Sequence, residues 1–155
     1  FLMIKIKDFQ YANPGYNELE TSYLKEAELS ETLERKNLYL RMAEKAKSWK
    51  RIPIGYWHSK YEPNLPFPKE NSNHLSQSNR NILIQYLNNS NHKKIHCLGH
   101  SECRICDKIN GSLDIFDGKY IWPEGLSHYI EMHDVELPDE FVEYCITKQK
   151  DTDHD

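Results

Sequence analysis

The spacing of apolar residues in the first part of the chain predicts one strand followed by two helices. Residues 3–9 alternate between apolar and polar side chains, which is typical of a short strand with one solvated face. Asn17 and Ser30 each precede acidic residues and a run of apolar residues at helical spacing, so each is expected to cap a helix. The second of these helices is predicted to continue to about Lys50.

The second predicted helix carries two apolar stripes. One stripe consists of Leu38, Met42, Ala46 and Trp49, and the other of Leu29, Leu33, Leu40 and Ala43. A helix that only touches the surface of a protein shows a narrower apolar band. The combined width of the two stripes therefore predicts a helix that is packed into a core.

The middle of the chain alternates between extended and helical patterns. Residues 52–57 form an extended apolar segment, and three prolines between positions 63 and 68 enforce irregular backbone after it. A helix of about three turns is predicted for residues 76–87. Residues 94–98 are then expected to form a strand that leads to the first cysteines.

The last third of the chain predicts a hairpin followed by a helix. Asp117-Gly118 separates two short apolar segments and is a strong signal for a hairpin turn. Pro123 suits the first turn of the next helix, and a further helix is expected from Pro138. The fold class is therefore α+β, with an N-terminal strand and helices packed against a C-terminal hairpin and helix. Residues 1–95 would form the helical and irregular part and residues 96–150 an expanded ββα-like module, the two together making one compact unit.

Cys103, Cys106, His128 and His133 form the one strong candidate site in the sequence. A Cys-x2-Cys spacing allows a tight turn to direct both thiolates at one ion. His128 and His133 are five residues apart, and in an ideal helix their side chains would be about 140° apart. A widened last turn would bring both imidazoles to one side. Two cysteines and two histidines complete a tetrahedral zinc shell, so one structural Zn²⁺ is predicted to stabilise the module.

Several alternatives to this ligand set remain open. His100, three residues before Cys103, could replace His133 as the fourth ligand, and Cys97 is a further rival. Cys97 and Cys145 lie in apolar segments and are therefore expected to be core thiols. The Cys-x2-Cys pair could also be unliganded or redox-active, although redox chemistry would require a strand–helix setting around it.

The pattern around the histidines favours a structural ion over a catalytic one. A closed shell of four protein ligands leaves no position for water or substrate. Glu131 is the only nearby candidate for a general base. Its position matches neither the His-Glu-x2-His order of zinc proteases nor the order of zinc deaminases, in which His-x-Glu precedes Cys-x2-Cys. The sequence therefore favours a non-enzymatic protein, with a small zinc-dependent hydrolase as an alternative.

Composition and charge narrow the choice of partners. No apolar run approaches the ~20 residues of a membrane span, and four cysteines without a secretory signal favour the cytosol. The segment between Asn110 and Tyr144 contains nine acidic residues and only one basic residue, Lys119. This segment would therefore repel phosphates and prefer a protein partner with a basic surface. The sequence therefore favours a protein-interaction or adaptor module. The alternative is a regulator that binds nucleic acid through the basic strip Lys45–Arg51.

Two parts of the sequence carry a resemblance to a protein family. Residues 52–68 (IPIGYWHSKYEPNLPFP) and 103–141, with the blocks NG, DGKYIWPEGL, HYIEMH and LPDEF, resemble a group of small uncharacterised bacterial proteins. Members of that group share a proline-rich extended segment, a Cys-x2-Cys, a WPEGL-x-HY helix and a following His. The resemblance implies zinc binding through Cys103, Cys106, His128 and His133, and it implies no established activity.

Overall fold

The structure is a computed structural model that describes residues 18–47 and 50–154. The strand predicted for residues 3–9, the cap predicted at Asn17 and Trp49 of the apolar stripe lie outside the described residues. The described residues form five helices and a four-stranded sheet, which confirms the predicted mixture of helices and strands. The described residues divide into two compact units, one within residues 18–52 and the other formed by residues 53–154.

The described part of the smaller unit contains two helices, α1 (Leu19–Glu28) and α2 (Leu33–Lys47), which contact each other. The side chains buried in these helices are alanines, at positions 27, 43 and 46. The prediction that the leucine stripes pack into a core is wrong, because Leu29, Leu33, Leu38 and Leu40 are all exposed. Two helices that pack on each other each bury one narrow face, which is too little to cover both stripes.

The four-stranded sheet is built around a hairpin. Its strands are β1 (Ile52–Pro53), β2 (Lys93–His96), β3 (Leu113–Phe116) and β4 (Tyr120–Pro123), in the spatial order β1-β4-β3-β2. Strand β3 pairs antiparallel with both β2 and β4. The predicted turn at Asp117-Gly118 joins β3 to β4, and the Asp117 carboxylate accepts the backbone N–H groups of Lys119 and Tyr120. The hairpin prediction is therefore confirmed.

Three helices complete the larger unit: α3 (Gln77–Leu87), α4 (Leu126–His133) and α5 (Asp139–Thr152). Ser76 caps α3 by accepting the backbone N–H of Asn79, and Pro138 directly precedes α5 as predicted. Pro123 was expected to open α4, but it ends β4, and the helix begins only at Leu126. The two residues between strand and helix are held by a neighbouring loop, as described below.

Aromatic side chains form the core that fixes the hairpin against α3 and α5. Trp122, Tyr120 and Phe141 are fully buried, with the Tyr120 and Phe141 ring centroids 4.9 Å apart. The Tyr86 hydroxyl of α3 donates to the Asp117 carboxylate at 2.6 Å, and burial together with this bond raises the Tyr86 pKa. Cys145 of α5 is also fully buried, as predicted for a core thiol. The core thus anchors one end of the hairpin, and the opposite end of the hairpin leads into α4.

Candidate metal centre

A tight turn in the loop between β2 and β3 carries both cysteines of the Cys-x2-Cys pair. The backbone N–H of Cys103 donates to the carbonyl of Lys108, and the N–H of Asp107 donates back to the carbonyl of Cys103, both at 2.9 Å. Asp107 has a φ of 58°, a left-handed conformation that aspartate tolerates better than most residues. The chain therefore reverses directly after Cys106, and both thiols remain on the same turn.

Helix α4 carries both histidines and ends in an irregular turn. The backbone N–H of Val135, the second residue after the helix, donates to the carbonyl of Tyr129 at 3.2 Å, six residues earlier instead of the four of a regular α-helix. Asp134 itself has a φ of 48° and stops the helix. The imidazole centroids of His128 and His133 lie only 5.1 Å apart. Both imidazoles therefore lie on one side of the helix end, as predicted.

The turn and the helix end bring together the four side chains of the predicted set. Ligand atoms of Cys103, Cys106, His128 and His133 all lie within 4.8 Å of one another, and Cys106 Sγ is 3.3 Å from His128 Nε2. Zinc–sulfur and zinc–nitrogen bond lengths give a tetrahedral shell with edges of about 3.3–3.8 Å. The group could hold a metal ion. Among the described residues, no second group of three or more such side chains is found.

The two alternative ligands, Cys97 and His100, lie outside the cluster. Cys97 and His100 are both exposed and line a cleft of about 280 Å³ beside the cysteine turn. The prediction that Cys97 is a core thiol is wrong, since its thiol is exposed and donates to the Asp114 carboxylate at 3.3 Å. The physical reason is that β2 is an edge strand with three of its four residues exposed, and Cys97 directly follows it.

The surroundings of the cluster favour the metal-binding form of His128 and hold α4 against the cysteine turn. Burial, followed by the electrostatic influence of His133 and Lys108, lowers the pKa of His128, which favours a neutral ring with an available lone pair. The neighbouring Tyr129 is buried, and this burial raises its pKa to about 12. Its hydroxyl accepts the backbone N–H of Arg104 at 2.8 Å. Tyr129 therefore ties α4 directly to the cysteine turn.

A second tie joins the residues just after the cysteine turn to those just before α4. The Glu124 carboxylate accepts the backbone N–H groups of Ser112 and Leu113, and the Asn110 amide donates to the carbonyl of Gly125 at 3.1 Å. We call this set of contacts the loop clamp. Because the clamp engages Glu124 and Gly125, these residues do not extend the helix back to Pro123.

Sequence patterns had signalled only part of this arrangement. The Asn-Gly pair at 110–111 and the Glu-Gly pair at 124–125 are visible in the sequence, but their mutual contact is not. Tyr129 belongs to the HYIEMH block, but the sequence pattern assigns no role to it. Glu70, whose Oε1 lies 3.6 Å from Nδ1 of His133, was missed entirely, because it comes from a segment more than sixty positions away with no motif around it.

Comparison with known proteins adds no relative: no family model, curated protein or solved structure matches the chain. The resemblance to small bacterial proteins therefore stays a prediction. The structure also contains no helix, within its described residues, that is long and apolar enough to cross a bilayer.

Proposed function

We propose that the chain binds one Zn²⁺ ion through Cys103, Cys106, His128 and His133, and that this ion is structural. The convergence of the four ligand atoms within 4.8 Å is the observation that carries the proposal. Two thiolates and two imidazoles form a donor set that suits zinc, whereas the hard cations calcium and magnesium require oxygen ligands. All four cysteines are free thiols in this structure, which is the state in which they can act as ligands.

The structural role follows from the number of donors and from what they connect. Four protein ligands fill a tetrahedral shell and leave no coordination position for a substrate. The ion would join the cysteine turn to α4 across the 21 residues that separate Cys106 from His128. Glu131, the candidate base of a zinc hydrolase, is an exposed residue of α4. A structural ion therefore fits this site better than a catalytic one, and we propose a non-enzymatic protein.

We propose that the protein acts through its surface, as an interaction or regulatory module in the cytosol. Five of the nine acidic residues between Asn110 and Tyr144 have partners within the fold, namely Asp114, Asp117, Glu124, Asp134 and Glu136. The other four are exposed, namely Glu131, Asp139, Glu140 and Glu143. With three of these four on α5, we propose that this helix faces a partner with a basic surface.

The nucleic-acid alternative receives less support. Within the strip Lys45–Arg51, the ammonium group of Lys50 lies 2.5 Å from the Glu20 carboxylate of α1. A lysine that is already paired gains less from contact with a phosphate. The strip therefore offers a weaker electrostatic attraction than its sequence indicates.

Removal of the metal tests the structural role. An ion whose free concentration is a thousand times its Kd stabilises the folded protein by about 4 kcal/mol. We therefore expect a strong chelator to lower the Tm of the wild-type protein by about 8–16 °C for a chain of this size. Thermal unfolding followed by circular dichroism, with the metal content checked in parallel, measures this shift. Added zinc should restore the original Tm and added magnesium should not. An unchanged Tm after verified loss of the metal would contradict a structural ion.

A further inference from the structure

We propose that Glu70 is the positioning residue for His133: its carboxylate holds the proton of His133 on Nδ1, so that Nε2 is presented to the metal. This inference rests on the proposed zinc site and extends it to a residue outside the ligand set. Glu70 comes from the irregular segment that follows the three prolines, far from both metal-binding elements in the sequence. The argument depends on how the backbone holds Glu70, on the two ring nitrogens of His133, and on the charges around them.

The backbone fixes Glu70 beside the end of α4. Residues 69–71 run antiparallel to residues 134–136, with an isolated bridge between Glu70 and Val135. The N–H of Asn71 donates to the carbonyl of Asp134, and the N–H of Glu136 donates to the carbonyl of Lys69, both at 2.8 Å. We call this pairing the Glu70 ladder. It sets the position of the Glu70 backbone independently of its side chain.

Side-chain contacts hold both ends of the Glu70 ladder. The Glu136 carboxylate is nearly fully buried and accepts the Asn71 amide, and its second oxygen is 3.4 Å from the Lys69 ammonium group. At the other end, Arg80 of α3 forms an ion pair with Asp134, the residue that stops α4. Lys69, Asn71 and Arg80 therefore engage the other two carboxylates of the ladder. Glu70 alone among the ladder's acidic residues is directed to His133.

The two ring nitrogens of His133 differ in what they contact. Nδ1 lies 3.6 Å from Glu70 Oε1. Nε2 is buried and has no hydrogen-bond partner among the described residues, which would be costly for a polar atom without a ligand. The separation of 3.6 Å is longer than a hydrogen bond. The Glu70 side chain is 58% exposed, and a small rotation of it would close this gap without any change in the core.

This division of roles matches a general feature of zinc sites. A metal-bound histidine usually donates its second ring N–H to a carboxylate or a carbonyl, which fixes both the tautomer and the orientation of the ring. Loss of such a partner typically lowers metal affinity by about 10–100-fold. In this chain, loss of the Glu70 carboxylate should weaken mainly the metal bond of His133, the ligand at the C-terminal end of α4. An open cavity lined by Glu70, Asn71, Ser72, Met132, His133 and Asp134 lies on that side.

The test compares Glu70→Gln with Glu131→Gln. Both substitutions remove one negative charge from an exposed carboxylate near the site, but Glu70 lies beside a ring nitrogen of His133, whereas Glu131 acts on His128 through its charge. Zinc affinity is measured by competition with a chromogenic chelator. We expect Glu70→Gln to weaken zinc binding by about 10–100-fold and Glu131→Gln by less than about threefold. Glu70→Asp, which keeps the carboxylate on a shorter side chain, should recover part of the loss.

A second readout does not depend on the metal. In the metal-free wild-type protein, a proton–nitrogen NMR correlation spectrum of the imidazoles should show His133 with its proton on Nδ1, and Glu70→Gln should shift the ring towards a mixture of tautomers. Equal zinc affinities for wild type and Glu70→Gln, or an unchanged His133 tautomer, would overturn the role of Glu70 while leaving the zinc site intact. A wild-type protein that binds no zinc would instead overturn the proposed function itself.

Discussion

Replacement of Cys103 by serine is expected to abolish stable zinc binding and to give the largest loss of stability among single changes at the site. Cys103 is the most deeply buried of the four side chains, at 1% exposure, so no other residue can enter from solvent to replace its thiolate. A serine hydroxyl is a poor ligand for zinc, and an ion that binds only the folded state contributes about 4 kcal/mol when it is present at a thousand times its Kd. Urea unfolding in the presence of zinc measures the loss.

Cys97→Ser provides the matched control for this experiment. Cys97 is the exposed thiol near the turn, and a serine hydroxyl can keep its hydrogen bond to Asp114. We expect this variant to retain one zinc per chain and to change the free energy of unfolding by less than about 0.5 kcal/mol. Retained zinc in Cys103→Ser, or its loss in Cys97→Ser, would mean that the assigned cysteine pair is wrong.

Replacement of Gly111 by alanine is the second change with a large expected effect. Gly111 has a φ of 90°, and a Cβ atom built on it would overlap the side chain of Glu124. The substitution therefore combines backbone strain with the loss of the carboxylate that accepts the N–H groups of Ser112 and Leu113. We expect a loss of about 2–4 kcal/mol, of which about 1–2 kcal/mol is backbone strain and the rest is the broken clamp. Chemical denaturation with zinc present gives the value.

Gly99→Ala separates the two contributions. Its φ of 89° is nearly identical to that of Gly111, but a Cβ atom there would meet nothing within 4 Å. This variant should lose only the strain of about 1–2 kcal/mol. If Gly111→Ala and Gly99→Ala were equally destabilised, Glu124 would contribute nothing to the loop clamp.

The sequence predicted those parts of the fold that depend on local patterns. The hairpin turn needs only Asp117-Gly118 between two apolar segments, and α3 needs only its serine cap and its apolar spacing. The position of both imidazoles on one side of α4 could be predicted because two histidines and a Cys-x2-Cys pair form the donor set of one ion, whose ligands must converge. Local chemistry was sufficient in each of these cases.

Other features depend on contacts between distant segments and could not be predicted in this way. Apolar spacing indicates that a helix has an apolar side, but it does not show how many neighbouring elements will cover that side. For this reason the leucines of α2 were wrongly predicted to be buried. Glu70 and Glu124 are ordinary carboxylates in the sequence, and their roles arise from the Glu70 ladder and the loop clamp. The same holds for the acidic charge between Asn110 and Tyr144, more than half of which has partners inside the fold.

A cobalt(II) titration of the metal-free wild-type protein tests the central claim most directly. Cobalt accepts the same tetrahedral thiolate and imidazole ligands as zinc, but it absorbs visible light in a way that reports the geometry and the thiolates. We predict saturation at one equivalent, a tetrahedral spectrum with thiolate charge-transfer bands, and displacement of the cobalt by zinc. These bands should lose about half their intensity in Cys106→Ser, which keeps one of the two thiolates. A wild-type spectrum without tetrahedral or thiolate bands would contradict the proposed zinc site.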